Sequence, residues 1–175
     1  SAIRWFRMND ELYNEYHIDT DRIYVGGVSA GGIVAVNAAY LDLDSEIPIH
    51  LVEFIEENGG LEGNSGNEGY DSHFHGVLNL SGAIGDTNWL VAGDIPVVNV
   101  HGDQDSVIPY AAGLITLFGL NMQVYGSYSI NETMLGLGNI SALYTFEGSD
   151  HTPFISYSEA MDITIEFTRD FMVDL

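Results

Sequence analysis

The chain has 175 residues and 46% hydrophobic content, enough to build a globular core and too apolar for a disordered segment. Its four basic residues are all arginine and face 26 acidic ones, a net charge of −22 that excludes neutralising nucleic-acid phosphates or docking on anionic lipid. Cysteine is absent, which excludes disulfides and thiolate metal sites, and no apolar run is long enough to span a bilayer.

In chain order, residues 2–16 predict a helix whose apolar face is Ile3, Trp5, Phe6, Leu12, Tyr13 and Tyr16. Residues 19–21 turn into a strand over 22–28. A small-residue, nearly all-apolar run over 30–41 predicts a buried helix. A short helix fits 49–57, and the glycine-rich stretch 58–70 reads as a loop. Strands are expected over 74–81, 96–101 and 142–146, and helices over 110–118 and 157–173. Residues 120–141 combine Gly, Ser and Asn with Met122, Tyr125, Tyr128, Met134 and Leu135, a pattern open to a lid or a surface excursion. Strands separated by helices or long crossovers predict one α/β domain over 1–175 built on an open, mostly parallel sheet with flanking helices.

The run Gly27-Val28-Ser29-Ala30-Gly31 stands where the second predicted element, a strand, hands over to a helix. A G-x-S-x-G run in that context predicts a strained turn with the serine exposed above the sheet, so that Ser29 is a candidate nucleophile. The N–H of Ala30 would then point at a developing oxyanion. A serine needs a base, and the base needs an orienting acid. The elbow predicts the chain order Ser, Asp/Glu, His. The strand end at His101-Gly102-Asp103-Gln104-Asp105 supplies acids, and the strand end at Gly148-Ser149-Asp150-His151 supplies a histidine. Both follow strand C-termini, where open α/β sheets place their sites.

On these residues the chain resembles the α/β-hydrolase superfamily in its esterase/lipase branch, from the nucleophile strand onward. The elbow, the His101-Gly102-x-x-Asp105-x-x-x-Pro109 segment and the Gly148-x-x-His151 segment follow that pattern in order and spacing. The resemblance implies Ser29 as nucleophile, Asp105 as triad acid and His151 as base, acting on a carboxylic ester through an acyl-enzyme, without metal or organic cofactor. The segments 59–67 and 76–83 are similar to secreted bacterial carboxylesterases, which implies a secreted or periplasmic protein. A peptidase on the same fold and a non-catalytic binding module remain as alternatives.

The family has strands before the elbow, with a glycine-rich loop that gives the second oxyanion donor. Residues 1–28 hold no such loop, so the sequence reads as an N-terminally truncated catalytic domain, ahead of a reduced hydrolase, with that donor upstream or on another loop. In a reduced hydrolase the open edge of the nucleophile strand predicts a covering segment or a homodimer across it. The charge predicts a protein of saline surroundings and a small neutral ester as substrate.

Lesser candidates have blander readings. Asp103 competes with Asp105, and the spacing of the family that the chain resembles implies that Asp103 is a loop carboxylate. Asp150 reads as a loop acid. His101 precedes the acid and reads as a structural hydrogen-bonding group. His73 and His75 read as a solvated strand edge, and Trp89 as a cap on the core or a substrate contact.

Overall fold

A computed structural model describes residues 1–117 and 120–175. In chain order the elements are α1 (Ala2–Leu12), β1 (Tyr24–Val28), α2 (Ala30–Tyr40), α3 (Val52–Glu57), β2 (Gly76–Leu80), β3 (Ala83–Ile84), β4 (Val97–Gly102), β5 (Ala112–Leu117), β6 (Leu120–Gly126), α4 (Ser127–Gly136), β7 (Ser141–Phe146), α5 (Pro153–Ser156) and α6 (Ser158–Val173). They fall into two compact units, Ser1–Tyr24 with Leu41–His75, and Val25–Tyr40 with Gly76–Leu175.

The first unit holds α1, α3 and the glycine-rich stretch. Its helix α1 departs from the expected amphipathic pattern. The residues it buries are Arg4 and Asn9, while Trp5, Phe6, Leu12 and Tyr13 are exposed, as is Tyr16 beyond its end. The reason is electrostatic: the Arg4 guanidinium is drawn in to pair with Glu62 and donates to the carbonyls of Glu62 and Gly63. Arg7 binds the carbonyls of Thr20 and His73 in the same way.

The second unit holds the sheets. Among the described residues, one sheet has the order β1-β2-β4-β7, with β2, β4 and β7 parallel and β1 at one edge. Strand β4 is buried along its whole length, which is why its sequence, Val97-Val98-Asn99-Val100-His101-Gly102, does not alternate simply. Period two still sorts its side chains. Val100 joins Phe154, Ala160, Val28 and Leu80 in one core, while Asn99 and His101 share the opposite face.

One expected element is corrected here. The predicted helix over 110–118 is strand β5 in the described part, and Phe118 lies outside the described residues. In β5, Ile115 is buried between exposed Leu114 and Thr116, a period of two and not of 3.6. It pairs antiparallel with β6, and β3 joins β6 to complete a second sheet of order β3-β6-β5. Ala83, Ile108, Ile115 and Val124 form its core, with Ile33 of α2 packed on it. The stretch 120–141, open to a lid or a surface excursion, holds strand β6 followed by helix α4.

Helix α2 is also less buried than its composition suggests. Gly32, Ala35, Val36 and Tyr40 face inward and Val34 faces out. No helix among the described residues is long and apolar enough to cross a membrane.

Candidate active site

The turn between β1 and α2 is built by close approach. A Cβ on Gly27 would overlap the backbone of Gly31, and one on Gly32 would overlap Gly82 and the Asn79 amide. Glycine at these positions lets the helix start directly over the strand end. Between them Ser29 takes φ 55°, the left-handed region that costs a residue with a Cβ about 1–2 kcal/mol. Its N–H donates to Leu80 O at 2.8 Å and its carbonyl accepts the Ile33 N–H at 3.0 Å. The half-buried side chain therefore leaves the turn at a fixed angle. Ala30 is the first residue of α2, so its N–H has no acceptor within the helix and sits at the positive end of the helix dipole.

Asp105 follows β4. Its Oδ1 accepts the N–H groups of Val107 and Ile108, each at 2.8 Å, which ties the carboxylate into its own loop. His151 follows β7, and the next residue, Thr152, has φ 52°. The two loops are clamped together. Asp103 Oδ1 accepts Gly148 N–H at 2.7 Å, and Asp150 Oδ1 accepts the Ser106 amide and hydroxyl at 2.8 Å and its neighbour's amide, His151 N–H, at 2.7 Å. Asp103 and Asp150 thus serve as loop acids. The Ser106 amide, then the His151 amide and the Ser106 hydroxyl, lower the Asp150 pKa.

These loops bring three side chains into one hydrogen-bonded line. His151 Nε2 lies 2.9 Å from Ser29 Oγ, and its Nδ1 lies 2.7 Å from Asp105 Oδ2. The side chain of Asp105 has no solvent exposure and that of His151 is 19% exposed. Burial alone would push the Asp105 pKa up. Hydrogen bonds from His101, His151, Ile108 and Val107 outweigh it, and the carboxyl is lowered from 3.8 to about 2. Facing an ionised carboxylate, Nδ1 of His151 carries the hydrogen, and Nε2 is left to accept the Ser29 proton.

His101, expected to satisfy a structural hydrogen bond, does more than that. Its Nε2 reaches the same Asp105 Oδ2 at 3.0 Å. Its position four residues before the acid is the signal in the sequence that could have indicated this. Trp89 lies against Gly85, where a Cβ would overlap its ring. His73 and His75 stack edge to face at 5.2 Å, with His75 Nδ1 accepting Ile23 N–H. No group of three or more His, Asp or Glu side chains among the described residues is placed to hold a metal ion.

A mostly parallel sheet flanked by helices, with Ser29 at one strand end, defines an α/β fold. No family model and no curated protein matches the chain. Solved structures do. A truncated carbohydrate esterase from gut microbiota superposes with a TM-score of 0.63 at 20% identity, over 97% of this chain and 66% of that one. A thermophilic esterase from the planctomycete Thermogutta terrifontis, with propionate bound, gives 0.66 at 20% identity, over 99% and 62%. Thermogutta terrifontis esterase 2 phosphoramylated by tabun gives 0.66 at 20% identity, over 99% and 61%. The likeness is one of fold, and the chain spans about two thirds or less of the length of these proteins.

Proposed function

We propose that the chain carries the catalytic site of a serine hydrolase of carboxylic esters, in the esterase/lipase branch of the α/β-hydrolase superfamily. The observation that supports this reading above all is His151, with one nitrogen on Ser29 Oγ and the other on Asp105 Oδ2. Ser29 attacks the ester carbonyl as its proton passes to His151 Nε2. The carbonyl oxygen becomes an oxyanion facing the Ala30 N–H, a donor typically worth about 3 kcal/mol of barrier. The intermediate collapses, the C–O bond to the alcohol breaks, and His151 returns the proton to the leaving oxygen. Water then gives a proton to His151 and attacks the Ser29 acyl ester; the acyl C–Oγ bond breaks, the acid leaves, and His151 returns the proton to Ser29 Oγ. Asp105 holds the imidazole in the Nδ1–H tautomer and stabilises its cation.

A chain with 26 acidic residues disfavours anionic guests, so neutral esters are the proposed substrates. Solved relatives in fold hold propionate or carry a tabun-derived group, which supports short acyl chains and covalent capture by organophosphorus reagents. The test is hydrolysis of short-chain nitrophenyl esters beside fluorophosphonate labelling, with Ser29→Ala as control. Turnover and labelling that both require Ser29 are expected. A folded chain that neither turns over nor labels would favour the binding-module alternative, and amide cleavage without ester cleavage would favour the peptidase.

A further inference from the structure

Asp105 stands between two serine–imidazole arms of the same order. One runs through His151 to Ser29. The other runs from Oδ2 to His101 Nε2 at 3.0 Å and from His101 Nδ1 to Ser127 Oγ at 2.8 Å. Only the first can meet a substrate. His101 and Ser127 have no solvent exposure, whereas His151 does. The inner arm is therefore not a second reaction centre.

Its protonation is fixed by its neighbours. His101 Nε2 faces the Asp105 carboxylate and, at 3.2 Å, the Ile108 carbonyl, both acceptors only, so Nε2 carries the hydrogen. The Asn79 amide donates to Asn99 Oδ1 at 2.9 Å and to Ser127 Oγ at 3.2 Å. That leaves the Ser127 hydroxyl to donate to His101 Nδ1, which accepts. A proton on Nδ1 would turn Ser127 Oγ into an acceptor from both sides and displace its own hydrogen, at the cost of a buried donor. These partners, on β2, at the start of α4 and in the loop after β4, place the hydrogen of His101 on Nε2 and leave Nδ1 to accept.

We infer that His101 is a positioning residue for the reaction proposed above, a neutral imidazole that steadies the Asp105 carboxylate while His151 gains and loses its proton. A neutral donor does this without setting a second positive charge beside the imidazolium that forms on His151. Such a charge would compete for Oδ2 and lower the basicity His151 needs. The catalytic consequence rests on the hydrolase reading. The consequence for Asp105 rests on the geometry alone.

The experiment compares the whole chain with His101→Leu, His101→Gln and Ser127→Ala, each checked for folding by circular dichroism. It reads kcat and KM on a nitrophenyl ester and the Asp105 carboxyl titration by carbon NMR. His101→Leu is expected to lower kcat about 10- to 100-fold with KM within about twofold, the scale of a misplaced catalytic group. The Asp105 titration should move upward in that variant. His101→Gln keeps an N–H donor and should recover most of both, and Ser127→Ala should show a smaller loss of kcat. A folded His101→Leu with unchanged kcat and an unmoved Asp105 titration overturns the inference. If that variant does not fold, Ser127→Ala with wild-type kcat and titration overturns it. A wild-type chain with no Ser29-dependent turnover overturns the hydrolase reading instead, and the carboxyl titration still decides the role of His101.

Discussion

The amide of Ser29 is hooked to the carbonyl of Leu80 at 2.8 Å, so β2 holds the nucleophile candidate in a backbone conformation that it would not choose alone. Strain of this kind separates stability from activity. Ser29→Gly removes the Cβ that left-handed φ penalises and should raise stability by up to about 1 kcal/mol while abolishing turnover. Ser29→Ala keeps the penalty and should melt close to wild type, also without turnover. Thermal melts of the three proteins decide it, and a Ser29→Gly chain that melts below Ser29→Ala would sink the argument.

The two carboxylates near β4 should separate cleanly. Asp105→Asn replaces an ionised acceptor with an amide that can present a donor to His151 Nδ1 and so favours the wrong tautomer, for which a loss of about 10⁴-fold in kcat is typical. Asp103 accepts only a loop amide, from Gly148, and Asp103→Asn can still do so. That variant should stay within about threefold in kcat, as expected where a hydrogen bond is conserved. The reverse ranking would reassign the acid.

The pH dependence follows from the same carboxylate. The folded-state pKa of Asp105, about 2, lies below its ordinary 3.8. A depressed pKa contributes stability that is present above the ordinary value and lost as pH falls through the folded one. Acid unfolding should therefore gain a component between about pH 4 and pH 2 that Asp105→Asn lacks, read from denaturant midpoints at each pH. Above pH 4 Asp105 stays ionised, so its contribution should be constant there. An Asp105→Asn chain whose denaturant midpoint falls in step with wild type between pH 4 and pH 2 would contradict this.

The elbow and the two loops could be read from the chain because each is a local pattern at a strand end, and strand ends are where the sheet gathers its side chains. Ser29 and the two loops were candidates on chain order alone, and the choice of Asp105 over Asp103 leaned on the family resemblance. The inner arm could not be read that way. Asn79, Asn99, His101 and Ser127 belong to β2, β4 and α4, and only the register Asn79↔Asn99 and the packing of α4 bring them together. Strand β5 was misread because Ala111, Leu114 and Leu117 mimic a helical stripe, while the partner that makes it a strand is β6. The apolar residues of α1 misled for the opposite reason. A guanidinium with carbonyl and carboxylate partners outcompeted aromatic side chains for the buried side.

Gly27 offers a test of the close approach itself. Its missing Cβ is the space that the Gly31 backbone occupies. Gly27→Ala must push α2 off the strand end, which moves Ser29 Oγ and the Ala30 N–H together. Loss of about 10²-fold in kcat is the scale for a displacement near 1 Å, with a lower melting temperature. Gly31→Ala meets nothing within 4 Å and should be mild by comparison. Equal effects of the two would mean that the tight contact is not what places the serine.

The surface should answer to salt. With four arginines against 26 acidic residues, repulsion between carboxylates acts throughout the chain, while Arg4 and Arg7 are already committed to carbonyl and carboxylate partners. The screening length falls from about 10 Å at 0.1 M to about 3 Å at 1 M salt, so most of that repulsion is removed across this range. Melting temperature should rise between low and molar potassium chloride, and should rise less when the same osmolality is supplied by sucrose. The Ser29–His151–Asp105 line is partly buried and should be screened far less, so kcat should change little once the chain is folded. A melting curve indifferent to salt would remove the proposal of saline surroundings.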